Sequence, residues 1–527
     1  MVVPTENTFS KRREEHILRA AELQRSGKLN EAFTVYSEVL EYQPEDDQVL
    51  YALATILDEK QEYELARQLY LHAIQRNPNI ESYHISLGKM FTKQRHYEHA
   101  IACFHFALEI HPKNVHVLLL LGDAYIQQSL FREAITTLHK ALVLQKEHAE
   151  VHAMLGGAYA KCGEYEKAIH HSAIAVTLDN RNTTAYNTLA FVYGVQNNFQ
   201  KAIEWYDTAL RLAPHDPALH VNKGTALLKV GDFENGWKEF EWRLHKENFK
   251  QQNRFATAPN KWNGDALNGK KILVWCEQGL GDTIQCVRYL PLIKERGGYI
   301  IFECQRELIP LLKEYPGIDE MRERFSVEDN AFDVHIPLMS LPMIFYPSVG
   351  TMQAEEGYIH ADTSLQKTWS EKISTTKIKI GIVWQGSALN KSNSYRSCSV
   401  DNFTTLAELN NVQLFSLQHI NNEVPLPSTI IPLHDNGFSD LAAIIASLDL
   451  VISIDTAVAH LAGALGCPVW VALSEMHDWR WMAEKTETQW YPSMKLFRQK
   501  KFGDWDSVFS EMALAITNVE HQQQTAI

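Results

Sequence analysis

Small and large apolar residues in the first half of the chain recur with a period of 34 positions. One column consists of alanines, at Ala32, Ala66, Ala100, Ala134, Ala168 and Ala202. The position four residues later carries Tyr36, Tyr70, Phe104, Leu138, Ser172 and Tyr206. Small residues in register let two antiparallel helices approach closely, and the large residues fill the space towards the next pair. The pattern predicts stacked helical hairpins, about seven of them between residues 13 and 246.

After residue 270 short apolar runs alternate with amphipathic stretches. The runs typical of strands are 271–276, 299–304, 333–338, 377–386, 412–420, 429–435, 448–456 and 468–473. Apolar strands that alternate with helices predict parallel sheets covered on both faces. Two such series, joined near residues 362–376, predict two Rossmann-like lobes with a cleft between them, at 270–362 and 377–518. The fold class is therefore α plus α/β.

The repeat pattern weakens before the second half begins. Gly236 stands in the alanine column, and Trp237 and Trp242 load this repeat with aromatic surface. A terminal repeat must cap the array or dock on the next domain, and the aromatic residues favour docking. The polar segment 247–269 is predicted to be an irregular connector.

Composition excludes several classes of function. A formal charge of -14 argues against nucleic-acid binding, which needs a basic surface. The seven cysteines stand singly, so neither a zinc site nor a disulfide framework is predicted. Three histidines share one repeat position (His84, His152 and His220), where we expect packing surface rather than a metal site.

No targeting or membrane segment is expected. The opening residues lack the apolar core of a signal peptide. The most apolar long stretch, 441–454, is too short to cross a bilayer and contains Asp449. The expected setting is the reducing cytoplasm.

The first lobe carries EQGLGD directly after its first strand. The absence of a Walker lysine and of a full GxGxxG weakens nucleoside triphosphate and NAD binding as hypotheses. Gly281 permits close approach of a ligand, and Asp282 has two interpretations. It caps the following helix, or it faces the cleft as a general base.

The second lobe has two polar loops after strands. In QGSALNKSNSYRS, Gly386, Lys391 and Arg396 suit phosphate oxygens, and a solvated surface loop is the alternative. Asp455 and Thr456 precede a helix rich in alanine and glycine, whose N-terminus is a natural seat for a diphosphate. The alternative is that one of the two caps that helix.

The other candidates also have two interpretations each. His460, one turn into the same helix, is predicted to contact a ligand or to pack. Gln418 and Trp384 stand at strand ends, and Trp479 belongs to DWRW. The two tryptophans either stack on a nucleobase or complete the core, and Gln418 is a candidate donor contact.

These motifs carry a family resemblance. The first half resembles the tetratricopeptide repeat. GLGDTIQCVRYLP and SIDTAVAHLAGALGCPVWVAL resemble glycosyltransferase family nine, the heptosyltransferase group, which has the two-lobed GT-B fold. The whole chain is similar to bacterial proteins that place such repeats before such a domain, among them flagellin and other protein O-glycosyltransferases.

The resemblance implies sugar transfer from a nucleotide sugar to a serine or threonine hydroxyl of a protein, flagellin among the candidates. The repeats would hold the acceptor, and 270–362 and 377–518 would be the acceptor and donor lobes. Inversion at the anomeric centre is implied, with no metal and no other cofactor. Asp282 would be the base, and the donor contacts would be Gly281, Gly386, Lys391, Arg396, Gln418, Asp455, Thr456 and His460.

Two other hypotheses remain open at this point. The domain transfers sugar to a saccharide or a lipid-linked glycan, with the repeats docking an assembly partner. Alternatively, the chain is a non-catalytic scaffold whose transferase-like domain no longer turns over.

Overall fold

The computed structural model describes residues 6–277, 279–328, 331–349, 357–387, 393–418, 426–483 and 485–525. Two compact units are present, residues 1–192 and residues 193–527. Within the described ranges, no helix is long and apolar enough to cross a membrane.

The first unit is helical throughout its described part, and its helices follow one another as hairpins. They are α1 (Glu6–Arg25), α2 (Leu29–Tyr42), α3 (Asp47–Glu59), α4 (Tyr63–Arg76), α5 (Glu81–Lys93), α6 (Tyr97–Ile110), α7 (Val115–Gln127), α8 (Phe131–Leu144), α9 (Ala149–Lys161), α10 (Tyr165–Leu178) and α11 (Thr183–Val195), whose last turn belongs to the second unit. The alanine column is fully buried in this unit. The predicted hairpins are therefore confirmed.

Glycines on the first helix of a hairpin make room for the large residue on the second. A Cβ built on Gly88 would lie 2.6 Å from the ring of Phe104, and one on Gly122 would lie 2.8 Å from Leu138. Real Cβ atoms do not approach this closely, so the leucine–glycine dipeptides of the sequence record a helix-to-helix contact.

The shared histidine position is also structural. Nε2 of His84 lies 2.8 Å from the carbonyl oxygen of Pro78, and Nε2 of His152 lies 3.2 Å from that of Lys146. In the second unit, His220 makes the same contact with Pro214 at 2.9 Å. Each histidine ties its helix to the preceding turn, which confirms the packing interpretation.

The second unit begins with α12 (Phe199–Leu212), α13 (Pro217–Val230), α14 (Phe233–Phe240) and α15 (Glu247–Gln252). A parallel sheet comes next, in the order β3-β2-β1-β4. Its strands are β1 (Lys271–Trp275), β2 (Tyr299–Cys304), β3 (Glu320–Glu323) and β4 (Val334–Pro337). Around it lie α16 (Leu280–Cys286), α17 (Leu290–Glu295), α18 (Ile309–Leu312) and α19 (Leu341–Val349). The next helix, α20 (Thr363–Lys372), packs beside the second sheet, where Gln366 donates to the carbonyl oxygen of Ala446.

The second sheet is parallel and has the order β10-β9-β8-β5-β6-β7. Its strands are β5 (Ile378–Val383), β6 (Val412–Ser416), β7 (Ile430–Pro432), β8 (Leu450–Ile454), β9 (Val469–Leu473) and β10 (Met494–Arg498). Its helices are α21 (Asn393–Arg396), α22 (Thr404–Ala407), α23 (Phe438–Ile445), α24 (Ala457–Ala464) and α25 (Trp505–Thr525). Numbered from β5, this is the doubly wound order 3-2-1-4-5-6.

The end of the repeat array docks on the α/β part, as its aromatic load predicts. The rings of Trp237 on α14 and Trp479 meet edge to face, with centroids 5.0 Å apart. Gly236 lies against Leu228 of α13, where a Cβ would be 2.8 Å from that side chain. Leu228, Phe233 and Trp237 share one buried core with both sheets.

The structure differs from the predicted elements in three places. The segment 247–269, predicted to be an irregular connector, begins with α15 and a 3₁₀ turn at Arg254–Thr257, because its first eleven residues contain no glycine or proline that would break a helix. The amphipathic stretch after EQGLGD, 282–296, predicts one helix, but it is broken into α16, a short 3₁₀ turn and α17, because Pro291 at the start of α17 has no N–H to donate. Strands β3 and β10 were not predicted. β3 is a polar edge strand without apolar alternation, and β10 lies directly after a proline and a serine.

Candidate functional site

The candidate residues gather where the two sheets change winding direction. In the first sheet this point lies between β1 and β4, and in the second between β5 and β8. Asp282 comes after β1, while Gly386 comes after β5 and Asp455 after β8. Ligands of doubly wound sheets bind at such points, beyond the carboxyl ends of the strands.

Asp282 is paired across the two lobes. Its Oδ1 accepts a hydrogen bond of 2.6 Å from Nη2 of Arg480. The Asp282 side chain is 33% exposed, whereas that of Arg480 is only 9% exposed. No described residue donates to Oδ2 of Asp282, so one carboxylate oxygen is held and the other is open.

Burial raises the pKa of Asp282 above its usual value, and this effect exceeds the opposing effect of the Arg480 charge. The carboxylate of Asp478 raises it further, while Arg243 and Arg396 lower it. A carboxylate with a raised pKa accepts a proton more readily than an exposed one.

Both glycines of EQGLGD stand where a larger residue would collide with a neighbouring side chain. A Cβ on Gly279 would collide with the carboxylate of Asp282. One on Gly281 would lie 2.7 Å from Cδ2 of His460 on α24. The first glycine leaves room for the Asp282 carboxylate, and the second lets α16 pack directly on α24.

Neither α16 nor α24 is capped by the side chain that the sequence offers for that role. Gly279 is the N-cap residue of α16, and no side chain accepts from the first turn, so Asp282 is not a cap. Thr456 is the N-cap residue of α24, and its side chain makes no capping bond either. The Thr456 hydroxyl instead lies 2.9 Å from that of Ser453.

Asp455 lies in the same electrostatic environment. Burial and the neighbouring carboxylate of Asp478 raise its pKa to about 6, although Arg396 and Arg480 oppose the shift. Below pH 6 Asp455 is mostly protonated, and in that form it places no negative charge beside the first-turn N–H groups of α24, where an anion can then bind.

His460 is buried rather than open to the cleft. It is 4% exposed, its Nδ1 lies 2.8 Å from the hydroxyl of Tyr491, and its ring stacks on Trp481 at 5.2 Å. Burial lowers its pKa well below the usual value, so the ring is neutral. These contacts favour the packing interpretation over the predicted donor contact.

Arg396 lies over Gly386. A Cβ on Gly386 would be 2.6 Å from Nη2 of Arg396, and the Gly386 N–H donates to Oδ1 of Asn393 at 3.0 Å. Nε of Arg396 is buried and has no hydrogen-bond partner. Lys391, the other predicted cation of this loop, lies outside the described residues.

The remaining candidates have structural roles here. Oε1 of Gln418 accepts from the N–H groups of Trp384 (3.3 Å) and Gln385 (2.9 Å), which joins the ends of β5 and β6. The Trp384 ring belongs to the core on one face of the second sheet. Trp479 is 3% exposed and also packs against Trp490. The two rings occupy core positions, which was the alternative to stacking on a nucleobase.

Sequence reasoning missed the residues that hold the site together. Arg480 binds Asp282, Oδ1 of Asp478 at 2.7 Å and Oε1 of Gln285 at 2.7 Å. Its only signal was its place in DWRW. A second buried pair joins Arg243, just after the last repeat, to Glu277 at 2.6 Å. Glu277 is part of EQGLGD, but no local pattern indicates its partner.

Comparison with protein-family models matches three segments of the chain. Residues 9–118 match a model described as "Psidin, N-terminal TPR repeats region", and residues 91–156 and 183–216 match models described as "Tetratricopeptide repeat". The first half contains tetratricopeptide repeats. The matched segments agree with the helical hairpins of the structure.

A curated relative extends the similarity beyond these segments. The chain is 24% identical over 338 residues to "Protein FlbA" of Caulobacter vibrioides. The match covers 58% of this chain and 56% of that protein, so the chain spans about half the length of the relative.

The tetratricopeptide repeats also resemble solved structures. A structure of PilF from Pseudomonas aeruginosa is 20% identical, with a TM-score of 0.34, and covers 39% of this chain and 94% of its own. A tetratricopeptide repeat protein from Parabacteroides merdae is 17% identical, with a TM-score of 0.40, and covers 44% of this chain and 91% of its own.

Proposed function

We propose that this protein transfers a sugar from a nucleotide sugar to a serine or threonine hydroxyl of a protein. The observation that carries the proposal is the open carboxylate oxygen of Asp282. It has a raised pKa and lies at one switch point, while the uncapped start of α24 lies at the other. A base on one lobe would act on the acceptor hydroxyl, and an anion-binding helix end on the other lobe would bind the phosphate of the sugar donor.

In this mechanism Oδ2 of Asp282 takes the proton of the acceptor hydroxyl while the hydroxyl oxygen attacks the anomeric carbon. The bond between that carbon and the phosphate oxygen breaks, and the electron pair leaves on the phosphate. The first-turn N–H groups of α24 and the guanidinium of Arg396 would stabilise that charge. Inversion and independence of metal come from the resemblance to glycosyltransferase family nine with the GT-B fold.

Arg480 would act on Asp282 rather than on the substrate. It holds Oδ1 at 2.6 Å and donates to Asp478 at 2.7 Å, so it orients the carboxylate and leaves Oδ2, which lies beside Gly279, without a donor among the described residues. Burial keeps the pKa of Asp282 raised in spite of this pairing. Arg480 is therefore proposed as a positioning residue.

The repeats are proposed to hold the acceptor protein. A groove of about 590 Å³ runs between α6, α7 and α8 in the first unit. Apolar Leu108, Leu118 and Leu121 line it together with Arg132 and Lys140. An apolar floor with charged edges suits a peptide segment better than a bare sugar.

The first test is a thermal-shift screen with nucleotide sugars and free nucleotides, with and without Mg²⁺. A ligand at a hundred times its dissociation constant adds about 2.7 kcal/mol of stability. A hit should be followed by transfer to candidate acceptor proteins, comparing wild type with Asp282→Asn and with the exposed control Asp265→Asn. Silence across the panel would contradict the proposal and favour the scaffold hypothesis.

A further inference from the structure

A buried arginine connects the helix of the proposed base to the second lobe. Arg288 lies in the 3₁₀ turn that follows α16, and it is 3% exposed. Its Nη1 donates at 2.9 Å to the carbonyl oxygen of Trp490, which lies in the second lobe just before β10. Its Nη2 donates at 2.9 Å to the hydroxyl of Tyr358, in the segment between α19 and α20. Arg288 therefore reaches from the first lobe to the second.

Tyr358 is bonded to both helices of the candidate site. Its hydroxyl donates at 2.9 Å to the carbonyl oxygen of Ile284, in α16. Its N–H and that of Ile359 donate to the carbonyl oxygen of Ala464, the last residue of α24, at 2.9 and 3.0 Å. Because Arg288 donates to the same hydroxyl, the end of α16 is joined to α24 through this tyrosine.

The charge of Arg288 is buried without a carboxylate partner among the described residues. Its Cζ lies 4.4 Å from the ring centroid of Tyr358 and 4.9 Å from that of Tyr491, and its Nε donates to the carbonyl oxygen of Gln285 at 2.8 Å. Burying an unpaired charge is costly, and an apolar side chain of similar volume would avoid that cost. The planar set of donors that only arginine offers is therefore what this position requires.

Gln285 links Arg288 to the pair of Asp282 and Arg480. Its carbonyl oxygen accepts from Arg288, and its side-chain oxygen accepts from Nε of Arg480 at 2.7 Å. Arg480 also holds Oδ1 of Asp282 at 2.6 Å. Asp282 and Gln285 are three positions apart and so lie on the same side of α16. A rotation or shift of α16 would therefore disturb both bonds of Arg480 at once.

We propose that Arg288 is a positioning residue for the sugar transfer, which fixes α16 against α24 and so keeps Asp282 at one distance from the anion-binding end of α24. The inference rests on the proposed function. It assigns the two helices to one rigid body, although their strands belong to different sheets. A movement between the sheets would then leave the base and the phosphate of the donor together.

Arg288→Met in the full-length protein is the first test. Methionine keeps the apolar stem but donates no hydrogen bond, so α16 loses its direct bond to the second lobe. The kcat of transfer should fall roughly 10–10²-fold, because a small displacement of the base is enough for such a loss. The KM of the nucleotide sugar should stay within about twofold, since α24 is unchanged. A large rise in this KM at the wild-type kcat would place Arg288 in donor binding and overturn the proposal.

Phe509→Leu is the matched control for a general loss of stability. Phe509, on α25, is 1% exposed and packs against Phe403 in the core on the other face of the second sheet. The substitution loosens the same lobe but does not touch α16, so kcat measured below the unfolding temperature should equal that of the wild type. An equal fall of kcat in Phe509→Leu and Arg288→Met would contradict a positioning role.

A double substitution asks whether Arg288 acts through Asp282. If it does, adding Arg288→Met to Asp282→Asn should lower the residual rate by less than about twofold, because the base is already lost. If the two losses multiply in full, Arg288 acts independently of the base and the proposal is wrong.

Hydrogen exchange of the backbone amides needs no substrate, so it distinguishes failure of this inference from failure of the proposed function. In Arg288→Met the amides of α16 should exchange about tenfold faster than in the wild type, while those of α24 should be unchanged. If the wild type transfers no sugar, the proposed function fails, and faster exchange would still show that Arg288 holds α16. Wild-type exchange of α16 in Arg288→Met would overturn the inference, whatever the rate of transfer.

Discussion

Nη2 of Arg480 donates to Oδ1 of Asp282 across 2.6 Å, although the two residues are 198 positions apart in the chain. Asp282 lies after the first strand of one sheet and Arg480 lies after β9 of the other. The pair therefore connects the lobes at the point where both sheets present their loops. Because Arg480 binds Oδ1, Oδ2 is the oxygen of Asp282 that remains free to accept a proton.

Replacement of Asp282 by asparagine tests the base directly. Asp282→Asn keeps the shape of the side chain but cannot accept a proton, so transfer should fall roughly 10²–10⁴-fold. Binding of the sugar donor, measured by thermal shift, should stay within a factor of about two. Transfer at the wild-type rate would show that another group takes the proton.

Arg480→Met should destabilise the second unit by roughly 2 kcal/mol, because Asp282 and Asp478 lose a buried partner while staying about one third exposed. The measurement is guanidinium unfolding. Asp478→Asn keeps the bond to Asp282 and should cost less. If Arg480→Met and Asp478→Asn have equal effects, the pair with Asp282 does not contribute to stability.

Gly281→Ala should cost about 1–3 kcal/mol, since the new methyl group would lie 2.7 Å from Cδ2 of His460. Combining it with His460→Ala should recover part of that loss, which a double-mutant cycle measures. Gly157→Ala is the control: its Cβ meets nothing nearer than 3.9 Å within a helix. It should stabilise the protein by about 0.5–1 kcal/mol.

Trp237→Ala tests the docking of the last repeat. Its ring packs edge to face on Trp479 and is 3% exposed, so the substitution should cost roughly 3–5 kcal/mol. Trp242, which stacks on His220 at 3.9 Å and is partly exposed, is the control and should cost clearly less. Similar losses for the two in chemical unfolding would contradict docking through Trp237.

The raised pKa of Asp455 predicts that the free energy of unfolding depends on pH. Its folded pKa, about 6, is above the value in the unfolded chain, so the folded state binds more protons between pH 4 and 6. The contribution of Asp455 is favourable below pH 4 and is lost as the pH rises through 6. The unfolding free energy at pH 7 minus that at pH 4 should therefore be more positive in Asp455→Asn than in the wild type. An unchanged difference would show that Asp455 titrates normally.

The sequence by itself determined the repeats and most of the parallel strands. Both are local signals: an alanine column and an apolar run report what touches a neighbouring element at a constant spacing. It also placed Asp282 and Asp455 after strands, where the folding rule for parallel sheets brings loops to one edge. Pro291 is visible in the sequence as well, but the amphipathic pattern around it predicts a continuous helix that the proline in fact breaks.

Only the tertiary structure decided between a cap and an open carboxylate at Asp282, and between ligand contact and packing at His460. Those choices depend on Arg480, Tyr491 and Trp481, which lie on other elements far along the chain. No local pattern encodes which charges become buried neighbours, because their interaction arises only when distant loops fold together.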